Sequence, residues 1–304
     1  MNFIKKIIKK FVIFLIGYDF FEKKLILEGF KLSNQKSRKS KIINFKDVEF
    51  SVFSQWGDDG IIDWLTTNIP IKKKIFLEIG TEDYRESNTR FLLIKKNWSG
   101  HLIESEIEHT KNIKKQSIYW KYDLNVHNYQ VNQKNINKII KIINLRSIGL
   151  LSLDIDGIDY WIWKEINELK PIIFVCEFNS TFGTKSEITV PYKKNFNRTK
   201  FHYSNLAFGG SISAFINLSK KKGYEFVGTN SNGVNAYFIK KNYYKFIKKK
   251  IRYKTIFSSK TRESRDRNYQ KTFLSNNLKT NKIKNVKVYD IKKKKIIKFK
   301  NVKL

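Results

Sequence analysis

The sequence has one cysteine in 304 residues, and this scarcity limits the kinds of site that it can form. Cys176 alone cannot form an internal disulfide or a cysteine-based zinc cluster, which suits a reducing compartment, so we expect a cytoplasmic protein. Histidines are also few, and they lie far apart with no H-E-x-x-H spacing, at His101, His109, His127 and His202. The sequence therefore argues against a catalytic zinc site, and we predict no metal.

Acidic residues are fewer than basic ones: the sequence has 27 Asp and Glu and 61 Lys and Arg, which gives a formal net charge of +34. An excess of positive charge of this size suggests nucleic acid as a partner. The basic residues, however, are mostly lysines scattered among isoleucine and asparagine, and all three residue types have A/T-rich codons. We therefore ascribe the charge to genomic composition and expect no specific nucleic-acid partner, while attraction to an anionic membrane or an anionic glycan remains open.

A long apolar run is missing from the N-terminal segment, residues 1–24, which is basic and amphipathic. Its apolar run from Phe11 to Ile16 is far shorter than the ~20 residues that cross a bilayer. The tripeptide at residues 17–19, G-Y-D, supplies no small-residue cleavage site for a signal peptidase. Two interpretations follow: a helix lying on the anionic inner face of a membrane, or a helix docked on the rest of the protein.

The glycine pattern of a dinucleotide-binding loop is also missing. Residues 74–89, K-I-F-L-E-I-G-T-E-D-Y-R-E-S-N-T, predict a strand, a tight turn and the start of a helix. Only Gly80 is present where pyrophosphate binding needs G-x-G-x-x-G, and Glu82, Asp83 and Glu86 surround it with carboxylates. This loop would repel a phosphate, whereas a cationic, hydroxylated ligand such as S-adenosyl-L-methionine suits it. An ordinary strand-to-helix turn is the alternative.

Four predicted strands end in acidic residues. The carboxyl ends of parallel strands meet at one edge of a sheet, where α/β proteins bind ligands. The acids at these ends are Glu78, Glu104, the pair Asp154 and Asp156, and Glu177. Glu104 follows Gly80 at close to the interval at which a second-strand acid binds ribose hydroxyls, although a surface glutamate would look the same. Several acids at one edge predict a functional site.

The pair Asp154 and Asp156 ends the apolar strand of I-G-L-L-S-L-D-I-D-G. Period two places both carboxylates on one face of the strand. Carboxylates so close need a cation, a shared proton or a hydroxylated ligand. Two other roles stay open: the pair could hold a divalent metal on a nucleotide sugar, and Asp156 could cap the helix that contains Trp161.

The remaining chain supplies the predicted domain limits. We predict an N-terminal segment and linker over residues 1–48, one α/β domain over 49–245 and a basic, solvated extension, partly packed on the domain, over 246–304. Residues 117–124 predict a third strand, and 224–228 with 234–239 predict a closing antiparallel hairpin.

Two less regular stretches supply further site candidates. Gln55 and Asp59 lie in the turn before the first strand, where a helix lays residues over the cleft. Residues 180–210 form a connection long enough to be a lid or a substrate loop, and this connection contains His202.

Together these pieces resemble the FkbM-like methyltransferases over roughly residues 50–240. The motifs are S-Q-W-G-D-D-G, F-L-E-I-G-T, S-N-T, N-W-S-G, L-D-I-D-G-I-D-Y, C-E-F-N and G-Y-E-F-V-G with N-A-Y-F. The resemblance implies a Rossmann-like α/β fold: a seven-stranded, mostly parallel sheet with a C-terminal antiparallel hairpin and helices on both faces. It also implies S-adenosyl-L-methionine as cofactor and methylation of hydroxyl oxygens, commonly on sugars or natural products.

Carried over by position, the resemblance assigns the cofactor-binding residues. It implies that Glu78, Gly80 and Asn88 frame the methionine part, with Thr81 in the same loop, that Glu104 binds the ribose, and that Asp154 and Asp156 form the edge of the site. The chain departs from the family pattern at Tyr84, which stands where a second glycine is usual. We expect the Tyr84 side chain to narrow the cleft, which makes a member without catalysis an alternative.

The predicted reaction is O-methylation of a sugar or glycan hydroxyl by in-line transfer, in which the protein mainly aligns the two reacting centres. Asp156 is the first candidate for the base that accepts the hydroxyl proton, followed by Glu177 and His202, with Asn179 orienting the acceptor. The rivals are a metal-dependent glycosyltransferase that uses Asp154 and Asp156, and an inactive, membrane-associated binding protein.

Overall fold

The computed structural model describes residues 5, 12 and 18–304, so most of the predicted membrane or docking segment lies outside the described residues. The α-helices among residues 18–304 are α1 (Tyr18–Lys36), α2 (Asp58–Asn68), α3 (Arg90–Lys96), α4 (Ile107–Lys115), α5 (Ser117–Lys121), α6 (Ile136–Ile142), α7 (Asp159–Glu165), α8 (Arg198–Phe201), α9 (Ile212–Lys221), α10 (Lys241–Tyr244) and α11 (Asn276–Lys282). The strands are β1 (Ile75–Ile79), β2 (Ser99–Glu104), β3 (Leu124–Asn128), β4 (Leu150–Leu153), β5 (Ile173–Glu177), β6 (Ile188–Thr189), β7 (Tyr224–Thr229), β8 (Asn235–Lys240), β9 (Lys287–Asp290) and β10 (Lys295–Lys298).

Seven strands form one sheet in the order β3-β2-β1-β4-β5-β8-β7. The first five strands of this order are parallel neighbours. The hairpin of β7 and β8 closes the sheet, with β8 antiparallel to both β5 and β7. The order reverses next to β1, between β1 and β4, so a crevice opens there at the carboxyl ends of the strands. The predicted fold class, a Rossmann-like seven-stranded sheet with an antiparallel hairpin, is confirmed.

Helices cover both faces of this sheet because successive strand residues point to opposite sides. In β1, Leu77 packs in the core that contains α6 and α7, whereas Phe76 packs in the core that contains α2 and α3. The same alternation repeats in β5, where Phe174 and Val175 enter opposite cores. A sheet buried on both faces needs apolar residues at almost every position, which is the pattern of the predicted strands.

The C-terminal part of the chain builds a second, three-stranded sheet in the order β10-β9-β6. Its strand β6 comes from the long connection after β5 and pairs antiparallel with β9. A separate apolar core, which includes Phe182, Val190, Ile283 and Phe299, fixes this sheet to the connection. The basic C-terminal segment therefore holds the loop that faces the main sheet's carboxyl edge.

Two predicted elements differ from the structure. The predicted linker is helical up to Lys36 and then contributes Ile42, Phe45 and Val48 to the core, so it is packed along the domain. Residues 117–121, predicted as the start of a third strand, form α5, and β3 starts only at Leu124, which pairs with Gly100. Of the aromatic residues that favour a strand there, Tyr119 and Tyr122 are only partly buried and Trp120 is 75% exposed, so local propensity did not decide the outcome. Among the described residues, no helix is long and apolar enough to cross a membrane.

Candidate active site

A cleft of about 850 Å³ lies at the carboxyl ends of β1, β2, β4 and β5. Its volume is in the range of sites that bind cofactors and small molecules. The predicted site residues that line the cleft are Gln55, Glu78, Gly80, Thr81, Asn88, Glu104, Asp154, Asp156, Glu177 and Asn179. The topology thus brings the predicted strand-end acids to one place.

Gly80 fixes the shape of the cleft floor. Its φ is +83°, and a Cβ at this position would lie 1.7 Å from the carbonyl oxygen of Asp154. Its N–H donates to the carbonyl of Ile103 at 2.9 Å, so the turn after β1 is held between β2 and β4. Only glycine fits there, since any side chain would push the turn away from the end of β4.

Glu78 is buried and braces the loop after β1. Its carboxylate accepts a hydrogen bond from the Asn88 N–H at 3.0 Å and another from the Thr89 hydroxyl. Burial raises the pKa of Glu78 to about 7. Asn88 in turn donates through Nδ2 to the Ser152 hydroxyl at 3.1 Å, which ties this loop to β4. Glu78 and Asn88 are therefore placed rigidly along one wall of the cleft.

Tyr84 does not narrow the cleft, contrary to the expectation from the sequence. Its side chain is fully buried in the core that contains α2 and α3, and it is not among the cleft-lining residues. The phenol oxygen lies 3.0 Å from the Thr89 hydroxyl, in the same hydrogen-bonded group as Glu78. The φ of +62° at Tyr84 turns the side chain inward, so the cleft stays open where a glycine was expected.

Glu104 joins the loops after β1 and β2. Its Oε2 accepts the N–H groups of Thr81 at 3.0 Å and Glu82 at 2.9 Å, and its Oε1 accepts that of Glu106 at 2.9 Å. The Ser105 hydroxyl also donates to Oε1, but over a longer distance of 3.3 Å. A ligand hydroxyl can bind Glu104 by replacing this longest bond, because a carboxylate accepts about four hydrogen bonds.

Several buried polar atoms on the same wall have no hydrogen-bond partner within the part of the chain that the structure describes. They include the indole Nε1 of Trp56 and the hydroxyl of Thr81, and both residues line the cleft. Buried polar atoms are normally paired, so an unpaired donor and hydroxyl facing a cleft suit a polar ligand. Together with the surrounding glutamates, this wall fits a ligand that carries positive charge and hydroxyls.

The opposite wall holds an acidic cluster. Carboxylate oxygens of Asp154, Asp156 and Glu177 all lie within 4.8 Å of one another, close enough to hold a divalent cation. Burial and the charge of Asp156 raise the pKa of Asp154, while burial and Asp154 raise the pKa of Glu177. Like charges this close oppose each other's ionisation, so Asp154 and Glu177 both keep their protons to a higher pH than an isolated carboxyl group does.

Arg198 also neutralises this cluster, and nothing in the sequence singled it out. Its guanidinium forms an ion pair with Asp156, donates through Nε to the Asn205 carbonyl at 2.6 Å and stacks 3.7 Å from the centre of the Phe208 ring. It comes from α8 in the connection over residues 180–210, which was predicted to be functional. Arg198 is one of 61 basic residues, and only the folded connection places it against Asp156.

Asp154 and Asp156 lie in the turn after β4, and not on one face of a strand as the sequence predicted. Strand β4 ends at Leu153, and Asp156 has a φ of +55°, so a turn brings the two carboxylates together instead of a shared strand face. Asp159 holds this turn, since its buried carboxylate accepts the N–H groups of Ile155 at 2.8 Å and Gly157 at 2.9 Å. Burial raises the pKa of Asp159 to about 6. Asp159, and not Asp156, organises the start of α7.

Asn179 and His202 lie in different surroundings. The Asn179 amide is buried and donates to the carbonyls of Leu206 at 2.9 Å and Phe208 at 3.0 Å, so it anchors the connection beneath Arg198. The Nδ1 atom of His202 lies 2.7 Å from the Ser204 hydroxyl, and burial lowers the pKa of this histidine. His202 is not among the cleft-lining residues, so the structure separates it from the acidic cluster.

The two candidates before β1 also have different positions. Gln55 is exposed and lines the cleft. Asp59 is buried away from it, where its carboxylate accepts the N–H groups of residues 52–54 at 2.6 to 2.9 Å. Asp59 therefore stabilises the turn before α2 and does not face the cleft.

Fold and cleft together define a Rossmann-like α/β protein whose main cleft lies at the carboxyl edge of its parallel strands. No protein-family model matches the sequence, and no curated protein matches it either. Similar solved structures include an O-methyltransferase from Bacillus cereus in complex with SAH, at 10% identity over 71% of this chain and 89% of that one, with a TM-score of 0.39.

Two further solved structures show likeness at the same level. One is an S-adenosylmethionine-dependent methyltransferase from Clostridium acetobutylicum, with 12% identity, 60% and 89% coverage of the two chains and a TM-score of 0.39. The other is the N-terminal domain of EvdMO1 with SAH bound, with 8% identity, 69% and 94% coverage and a TM-score of 0.39. Across eight such structures the chain spans from 57% to 98% of the other chain's length.

Proposed function

We propose that this protein is an S-adenosyl-L-methionine-dependent methyltransferase that methylates a hydroxyl oxygen of a sugar or glycan. The observation that carries the proposal is the cleft itself, in which a glutamate-lined wall around Gly80 faces the cluster of Asp154, Asp156 and Glu177. The motif resemblance to FkbM-like methyltransferases supports the same assignment. When bound, S-adenosyl-L-methionine supplies an electrophilic methyl group on a sulfonium.

The residues of the first wall would hold the cofactor. Glu78 and Asn88 are fixed beside the open turn at Gly80, where they suit the methionine part, with the unpaired hydroxyl of Thr81 next to them. Glu104 would bind the ribose in place of the Ser105 hydroxyl. This wall has carboxylates where a dinucleotide site has glycines and backbone N–H groups, so it favours a sulfonium over a diphosphate.

The residues of the second wall would handle the acceptor. Asp156 is the most exposed member of the acidic cluster, with 61% of its side chain accessible, and it is held by Arg198. It would accept the proton from the attacking hydroxyl, while the Asp154 and Glu177 pair lies behind it. Hydrogen-bonding side chains line the same region, which suits a hydroxyl-rich acceptor: Thr181, Thr199, Asn205, Ser259 and Thr261.

Titration calorimetry on the purified full chain tests the cofactor assignment. We expect micromolar binding of S-adenosyl-L-methionine and of SAH without added metal, because the glutamate wall and its unpaired polar atoms are already in place. Titration with nucleotide sugars plus manganese is the parallel experiment, since the acidic cluster could also serve a glycosyltransferase. Metal-dependent binding of a nucleotide sugar, with no binding of SAH, would transfer the assignment to glycosyl transfer. No binding of either ligand would favour an inactive binding protein.

We also propose that α1 places the protein on an anionic membrane surface. At 3.6 residues per turn, Phe20 and Leu27 fall on one side of α1 together with Lys24 and Lys31. The two apolar side chains are 57% and 60% exposed. The opposite side of α1 packs on the domain through Ile26 and Phe30, so the helix is docked and still presents an apolar, basic face.

Vesicle sedimentation tests this contact. We expect the full chain to sediment with vesicles that contain anionic lipid and to stay in solution with zwitterionic vesicles, because lysines near an anionic surface add attraction. The double variant Phe20→Ser and Leu27→Ser should reduce sedimentation severalfold, whereas Trp120→Ser, which removes an exposed aromatic residue elsewhere, should not. Equal sedimentation of both variants would show that α1 is not the contact.

A further inference from the structure

The lysines and arginines that line the cleft all come from two segments of the chain. Five glutamates come from the ends of β1 and β2 and from the loops that follow them, at residues 78, 82, 86, 104 and 106. Five cations come from the connection after β5 and from the C-terminal segment: Lys194, Arg198, Arg262, Arg265 and Lys279. In the sheet order, β1 and β2 lie on one side of β4, and β5 lies on the other. The cofactor wall is therefore negative, whereas the region that faces the acceptor combines this group of cations with the carboxylates of Asp154, Asp156, Glu177 and Glu263.

Lys279 is an unusual member of this group because only 6% of it is exposed. Its ammonium donates to the Thr261 carbonyl, and no ion pair to a carboxylate is found for it among the described residues. Burial and the charge of Arg198 lower its pKa. A buried ammonium beside another cation is costly unless an anion balances it.

Arg265 provides a second, independent observation. Its Nε is buried and has no hydrogen-bond partner in the described part of the chain. Its Nη2 lies 3.6 Å from a carboxylate oxygen of Glu263, which is 46% exposed. Arg265 lines the cleft, and a buried guanidinium N–H left unpaired is costly, so a ligand oxygen that reaches this N–H would be stabilised.

Three of the cations interact with one carboxylate, that of Glu263. Glu263 interacts electrostatically with Arg198 and with Lys279, and it contacts Arg265 directly. One exposed carboxylate thus faces three cations, of which Arg198 is also committed to Asp156. Guanidinium groups suit the planar, multidentate oxygens of phosphates and carboxylates.

We infer that the acceptor is an anionic sugar, whose phosphate or carboxylate binds to Arg265 and Lys279 while its hydroxyl lies at Asp156. This inference rests on the proposed methyltransferase function, since it concerns the acceptor of that reaction. The anion would replace Glu263 as the partner of these cations. Arg198 would link the two parts of the acceptor site, because it contacts Asp156 and lies near Lys279.

Calorimetry on the full chain saturated with SAH tests the inference with three matched probes: glucose, glucose 6-phosphate and glucuronate. We expect at least one of the anionic sugars to bind about tenfold or more tightly than glucose, and the two anionic probes decide between phosphate and carboxylate. Binding should weaken as salt is added, because charge attraction contributes to it.

Variants then locate the anion. Arg265→Gln and Lys279→Gln should each weaken binding of the anionic sugar about tenfold and leave SAH affinity unchanged. Arg267→Gln is the matched control, because Arg267 is exposed on the same segment and does not line the cleft. Equal affinity for glucose and both anionic sugars, no anionic binding at millimolar concentration, or unchanged affinity in both variants would overturn the inference. Binding of the anionic sugar without any SAH binding would overturn the proposed function and leave the anion site standing.

Discussion

Replacing Gly80 with alanine is expected to cost about 3 kcal/mol or more of unfolding free energy and to abolish SAH binding. The new Cβ would lie 1.7 Å from the Asp154 carbonyl oxygen, in a residue whose φ is +83°. The turn after β1 would have to move away from β4, and the cofactor wall and the acidic cluster would then lose their alignment. Urea unfolding and calorimetry with SAH measure the two effects.

Gly223→Ala is a matched control for the backbone conformation. Gly223 has the same φ of +83°, but its added Cβ would meet no atom within 4 Å. Its alanine variant should lose only about 1 to 2 kcal/mol, the cost of a left-handed conformation, with normal SAH affinity. Equal losses in the two variants would show that the close approach to β4 is not what makes Gly80 necessary.

Asp156→Asn is expected to reduce turnover by roughly 10²- to 10⁴-fold without changing SAH affinity. The amide keeps the shape of the side chain and can still contact Arg198 through its oxygen, but it cannot accept the proton of the attacking hydroxyl. The measurement is SAH release from S-adenosyl-L-methionine with the acceptor that calorimetry identifies.

Asp123→Asn serves as the control, since Asp123 is exposed and lies outside the cleft. It should keep full turnover. If Asp156→Asn also kept full turnover while binding SAH, Asp156 would not be the base. The same assay on Glu177→Gln would then test the next candidate, whose carboxylate lies within 4.8 Å of that of Asp154.

The site that these variants address was only partly predictable. The motifs predicted that Gly80, Glu78 and Glu104 lie at the cleft. Each of them stands at the carboxyl end of a strand or directly after it, and parallel strands end at a common edge. Contacts between distant segments were not predictable in this way. Glu104 accepts backbone N–H groups from the loop after β1, and Tyr84 turns into the core.

The sequence by itself determined where the apolar strands lie along the chain, which acidic residues stand at their ends, and that an antiparallel hairpin closes the sheet. These features are local, since burial on both faces requires apolar runs and a short turn specifies a hairpin. Only the tertiary structure decided that Arg198 neutralises Asp156, that His202 lies away from the cleft, and that Arg265 and Lys279 reach it. These positions depend on how the long connection and the C-terminal sheet pack together, and packing between distant segments leaves no periodic signal in a chain with 61 basic residues.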